Sequence, residues 1–87
     1  MNIDRLIGHY VIIYYHKNKI KFLADPDMED RVWTYNMEHA KCYYDLSAAE
    51  VKAGNLRYGM HAVDAQVKYV NRDGRLYNIR RNRNGRR

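Results

Sequence analysis

The chain has 87 residues, 46% of them hydrophobic, with nine tyrosines, a single cysteine and a formal net charge of +6. That aromatic content excludes a disordered chain, the lone Cys42 excludes an intrachain disulfide framework, and no stretch approaches the roughly 20 apolar residues of a membrane span. Arg80, Arg81, Arg83, Arg86 and Arg87 all fall in the last eight residues; without them eleven basic and ten acidic side chains remain, so the positive charge belongs to a tail.

Residues 1–79 read as one small domain and 80–87 as a basic, flexible tail. Residues 2–8 are a short helix or an ordered lead-in, and they lack the long apolar core of a signal peptide. Together with the free thiol this predicts a reducing, cytosolic setting. Tyr10, Val11, Ile12, Ile13, Tyr14 and Tyr15 form a β-branched and aromatic run, the mark of a strand covered on both faces. After a polar turn containing Asn18, the alternation of Ile20, Phe22 and Ala24 with Lys19, Lys21 and Asp25 predicts the returning arm of a hairpin over residues 10–24.

Pro26 and the acids Asp25, Asp27, Glu29 and Asp30 mark a loop. Residues 31–35 read as a third strand. Asn36 is placed to cap a short helix over 37–44, with strand or irregular structure as the alternative. Ser47 and Glu50 have the spacing of a capping box, which predicts a helix from Ala48 to about Arg57, ending near Gly59, with an apolar stripe of Ala48, Val51 and Leu56. Val63, Ala65, Val67 and Tyr69 alternate with polar residues as in a half-buried strand. Asn71, Arg72, Asp73 and Gly74 form a turn, and residues 76–79 return as its partner strand. The order predicts an α+β fold: a small antiparallel sheet of about five strands with one or two helices on one face.

No catalytic set stands out, and the sequence reads as that of a non-enzyme without cofactor or metal. His39 and Cys42 are three apart, but two ligands fall short of a zinc site, and a Cys–His nucleophile pair lacks a third partner. Asp25, Asp27 and Glu29 open like a calcium loop, yet Asp30 stands where that loop needs glycine and Asn36 where it needs glutamate. The better reading of Asp25, Asp27, Glu29 and Asp30 is a negative knob for a basic groove on a partner, joined by Trp33 and Tyr35 as aromatic protein contacts. The arginines of the tail suit phosphate, since each guanidinium bonds bidentately. Lys17, Lys19 and Lys21 either extend that basic surface or form a solvated edge.

The organisation is similar to short phage and prophage accessory proteins, including anti-CRISPR and host-takeover inhibitors. The likeness lies in the apolar hairpin of residues 10–24, the Val32-Trp33-Thr34 strand, the Glu38-His39-Ala40-Lys41 segment, and the Ser47-Ala48-Ala49-Glu50 helix start before a last hairpin. Such inhibitors share no active-site motif, so the resemblance implies binding that blocks a larger machine and carries over no residue. Function therefore has two candidate forms. One is a non-catalytic binding or inhibitor module that docks on a protein or nucleoprotein handling nucleic acid. The other is direct DNA or RNA binding through the arginine tail. A homodimer is compatible with either, and a membrane partner with neither.

Overall fold

Lys17 and Asn18 both adopt positive φ (51° and 67°). This is the backbone a two-residue turn needs to match the twist of the strands it joins. The turn closes β1 (Tyr10–His16) against β2 (Lys19–Leu23), with Ile13 opposite Phe22 and His16 opposite Lys19. The computed structural model describes residues 3–59, 62 and 64–79. Over these, β3 (Trp33–Thr34), β4 (Gln66–Val70) and β5 (Leu76–Asn78) complete a five-stranded antiparallel sheet in the order β3-β2-β1-β4-β5. A single α-helix among the described residues, α1 (Leu46–Gly59), lies over β1 and β4, so the expected α+β architecture holds.

The pleat divides the core in two. Ile12, Leu23 and Val67 face α1, which meets them with Ala49, Ala53 and Leu56. Val11, Ile13, Phe22 and Val70 face the other way, onto Leu6 and Ala40. The second cover is made without an α-helix: a 3₁₀ turn at Asp4–Leu6 and another at Met37–His39 supply it. This is why Val11, Ile12 and Ile13 are all fully buried, as the continuous apolar run predicts.

Several local readings are corrected. The third strand shrinks to Trp33–Thr34, because Thr34 Oγ1 accepts the Asn36 amide at 3.0 Å and turns the chain out of the sheet. Asn36 does act as a cap, accepting from the Glu38 amide at 3.0 Å, but only one 3₁₀ turn forms after it. Beyond that turn the backbone is claimed by strand ends: Lys41 N–H donates to Leu23 C=O, and Tyr43 and Tyr10 exchange both their backbone bonds. β4 is covered on both faces rather than one, since Lys68 and Val70 are buried as well as Val67; Lys68 Nζ donates to Asn78 Oδ1 on β5. Val63 lies outside the described residues.

The helix begins at Leu46, and its cap is Asp45 rather than Ser47. Asp45 Oδ1 accepts from the Ser47 amide at 3.2 Å, and Asp45 C=O accepts from the Ala49 amide at 3.1 Å. The buried stripe is Ala49, Ala53 and Leu56, spaced by four and three; Ala48 is exposed and Val51 is 65% exposed. Two alanines let the helix backbone approach the sheet closely, and the spacing from Val51 to Leu56 fits no helical face. Asp45→Ala is therefore expected to cost about 1 kcal/mol, and Ser47→Ala close to nothing. Thermal unfolding of the two variants checks this, and a larger loss at Ser47 would overturn the assignment.

Candidate functional site

The acidic loop is ordered by its own side chains. Asp25 Oδ1 accepts from the Asp27 amide at 2.9 Å, and Asp25 C=O accepts from the amides of Met28 and Glu29. Glu29 reaches back to His39, with Oε2 2.6 Å from Nδ1. This contact, helped by a hydrogen bond from Thr34, holds the Glu29 carboxyl below the usual carboxylate range against the opposing effect of desolvation. Arg5 completes the frame. Its Nη2 donates to Glu38 C=O at 2.6 Å, to Ala40 C=O at 2.7 Å and to Met28 Sδ at 3.2 Å. An open cleft of about 620 Å³ lies between these pieces, lined by Asp4, Arg5, Met28, Glu38 and His39.

The acids therefore do unequal things. Asp25 and Glu29 are half-buried and hold the loop, whereas Asp27 and Asp30 point outward. Between and beside them Met28 and Val32 stand 43% and 44% exposed, and neither stands out in the sequence as a contact residue. Arg31, also exposed, follows Asp30.

The two aromatic candidates separate from this loop. Trp33 is half-buried in the core on the α1 side, edge-on to Tyr14 with ring centroids 4.5 Å apart. Tyr35 is 53% exposed and sits with lysines, not acids: Lys21 Nζ is 4.9 Å and Lys19 Nζ 6.0 Å from its ring centre. The pairing of His16 with Lys19 and of Tyr14 with Lys21 puts these side chains on one sheet face. This cluster at the hairpin end becomes visible only when β3 is placed beside β2.

The thiol and imidazole considered as a nucleophile pair are engaged elsewhere. Cys42 Sγ donates to Arg5 C=O at 3.4 Å, and desolvation by burial pushes its pKa up, which keeps the unreactive thiol form. His39 is turned to Glu29. Among the described residues no group of three or more His, Cys, Asp and Glu side chains is placed to hold a metal ion, and no helix is long and apolar enough to cross a membrane. The arginines Arg80, Arg81, Arg83, Arg86 and Arg87 lie outside the described residues.

No protein-family model, curated protein or solved structure matches this chain. What its surfaces do has to be read from their own chemistry.

Proposed function

We propose that the protein is a non-catalytic binding module of the inhibitor kind, which docks through its acidic loop into a basic groove of a protein or nucleoprotein that handles nucleic acid. The observation that carries this reading is the presentation of Met28 and Val32. Both are substantially exposed on a loop whose ends and middle are tied by Asp25, by the Glu29–His39 pair and by Arg5. An ordered loop loses little conformational entropy when it docks, so its contacts go into affinity. Apolar side chains flanked by Asp27 and Asp30 fit the usual interface pattern of an apolar centre with a polar rim. The charge selects a basic partner surface and speeds encounter, and grooves that hold nucleic acid are basic.

The test uses immobilised protein in a lysate of the source cell, with and without nuclease. Saturable capture should survive nuclease treatment, and the exposed-loop variant Asp27→Asn, Met28→Ser, Asp30→Asn should lose it by about tenfold or more, the scale of a small hot spot. A variant with the five tail arginines changed to serine should keep it. Capture that vanishes with nuclease, or that ignores the loop variant, would sink the proposal.

A further inference from the structure

The opposite end of the sheet carries a different chemistry. Residues 10–24 contain no acid, and His16, Lys17, Lys19 and Lys21 cluster around the β1–β2 turn. On the face that also carries α1, the strands β1, β2 and β3 set Tyr14, His16, Lys19, Lys21 and Trp33 side by side, and Tyr35, just past the end of β3, lies against the two lysines. Tyr14 is edge-on to Trp33 at 4.5 Å and to His16 at 6.2 Å. Lys19 and Lys21 flank the ring of Tyr35. α1 lies principally over β1 and β4 and leaves Tyr35 open to solvent. One acid does bond β1 at this end: the Asp64 carboxylate accepts the Tyr15 amide at 3.3 Å and so closes the end of the β1–β4 ladder.

We infer that this aromatic and lysine strip binds single-stranded nucleic acid. Every base has a π-face that stacks on an aromatic ring whatever its sequence, and lysines beside the ring take the phosphates. Tyr14 and Trp33, on the same face, are held by core packing, which steadies the strip from the side and leaves Tyr35 as the exposed stacking ring. In the free protein the ammonium groups of Lys19 and Lys21 rest against Tyr35. An exposed cation–π contact is weaker than base stacking, so an incoming base displaces them. Each displaced ammonium then lies beside the base it yielded to, where the backbone phosphate runs. A duplex hides its base faces and offers this strip only phosphates. The strip spans three strands, about 10 Å across at the usual strand spacing, with Tyr35 as the exposed ring on which a base stacks.

This site is separate from the acidic loop, and purified components test it without any protein partner. Fluorescence anisotropy is measured with labelled oligo-dT, oligo-U and a duplex, each of about 12 nucleotides per strand, a length within single-strand site sizes. In the chain with the five tail arginines changed to serine, single strands should bind more tightly than the duplex, with log affinity falling against log salt at a slope of about −1 to −2 from the strip lysines. Tyr35→Ala should weaken single-strand binding roughly 5- to 100-fold. Lys19→Glu with Lys21→Glu should weaken it about tenfold or more and flatten the salt slope. Because all three side chains are at least partly exposed, circular dichroism should show the variants folded. The tail arginines are controlled by repeating Tyr35→Ala in the chain with all five changed to serine, where the fold-loss should be the same. Comparing oligo-U with oligo-dT says which sugar is preferred, and either preference supports the proposal. It is overturned if single strands do not bind the tail-substituted chain at low salt, if the duplex binds that chain as tightly, or if the strip variants bind like wild type.

Discussion

Replacing Ile12 with alanine is expected to lower the unfolding free energy by about 2–5 kcal/mol, the usual cost of a buried large-to-small change plus its cavity. Ile12 is fully buried at the centre of the sheet, where β1 is flanked by β2 and β4, and its side chain belongs to the cluster under Ala49, Ala53 and Leu56. Two of those three helix residues are alanines, which have no longer side chain to swing into the space. The cavity therefore stays, which places the cost in the upper part of the range. A domain of this size has roughly 4–13 kcal/mol in total at the usual stability per residue, so one substitution removes a third or more of it. The midpoint of thermal unfolding should fall by roughly 10–30 °C. Val51→Ala on the outer face of α1 is the control, and should change stability by less than about 0.5 kcal/mol. Urea titration of both variants decides it: a loss below about 1 kcal/mol at Ile12 would mean that α1 is not seated on β1.

The features that local chemistry decides were legible in the sequence. The apolar run of Val11, Ile12 and Ile13, the polar turn at Lys17 and Asn18, and the Asn71–Gly74 turn each have one good solution, and the five-stranded sheet is built around them. What was not legible depends on partners distant in the chain. Met37, Ala40 and Tyr44 have helical spacing, yet the backbone of Lys41 bonds to Leu23 and that of Tyr43 to Tyr10, and that pairing outweighs a weak local preference. Lys68 occupies a polar position in an alternating pattern but is buried on Val11's side of the sheet, because β5 covers it and Asn78 accepts from its ammonium. At the helix start two caps compete within three residues. Asp45 prevails over Ser47, which places Ala49 and Ala53 on the sheet.

The binding surfaces divide in the same way. The four acids could be read as a loop directly, since proline and clustered aspartates have few other roles. Their division of labour could not, because it turns on His39, ten residues from Glu29, and on Arg5, twenty-three from Met28. Tyr35 reads as a companion of the acids by its position in the chain, but the β2–β3 pairing puts it among lysines. That one register separates the acidic loop at one end of the sheet from an aromatic and basic strip at the other.

Arg5→Ala should cost about 2–3 kcal/mol and loosen one side of the molecule more than the other. The guanidinium gives charged hydrogen bonds to two backbone carbonyls, Glu38 and Ala40, and such bonds contribute more than neutral ones. Removing it leaves both carbonyls without that donor in a half-buried place, and removes the contact that ties Met28 to the rest of the loop's frame. The affected bonds are specific: Ala40 N–H to Met37 C=O, Lys41 N–H to Leu23 C=O, and Asp25 N–H to His39 C=O. Amide exchange at Asp25, Ala40 and Lys41 should therefore speed up beyond the global loss, whereas amides in α1 should track the global loss alone. Arg5→Lys should restore only part of this, because all three contacts are made by the terminal Nη2 and the shorter lysine side chain places its ammonium short of that point. Because the same frame holds Met28 and Asp27 for docking, Arg5→Ala should also weaken nuclease-resistant capture without touching the partner, while single-strand binding at the hairpin end stays at the wild-type value. Uniform exchange across Asp25, Ala40, Lys41 and α1 would show that Arg5 adds only to overall stability and does not hold the loop.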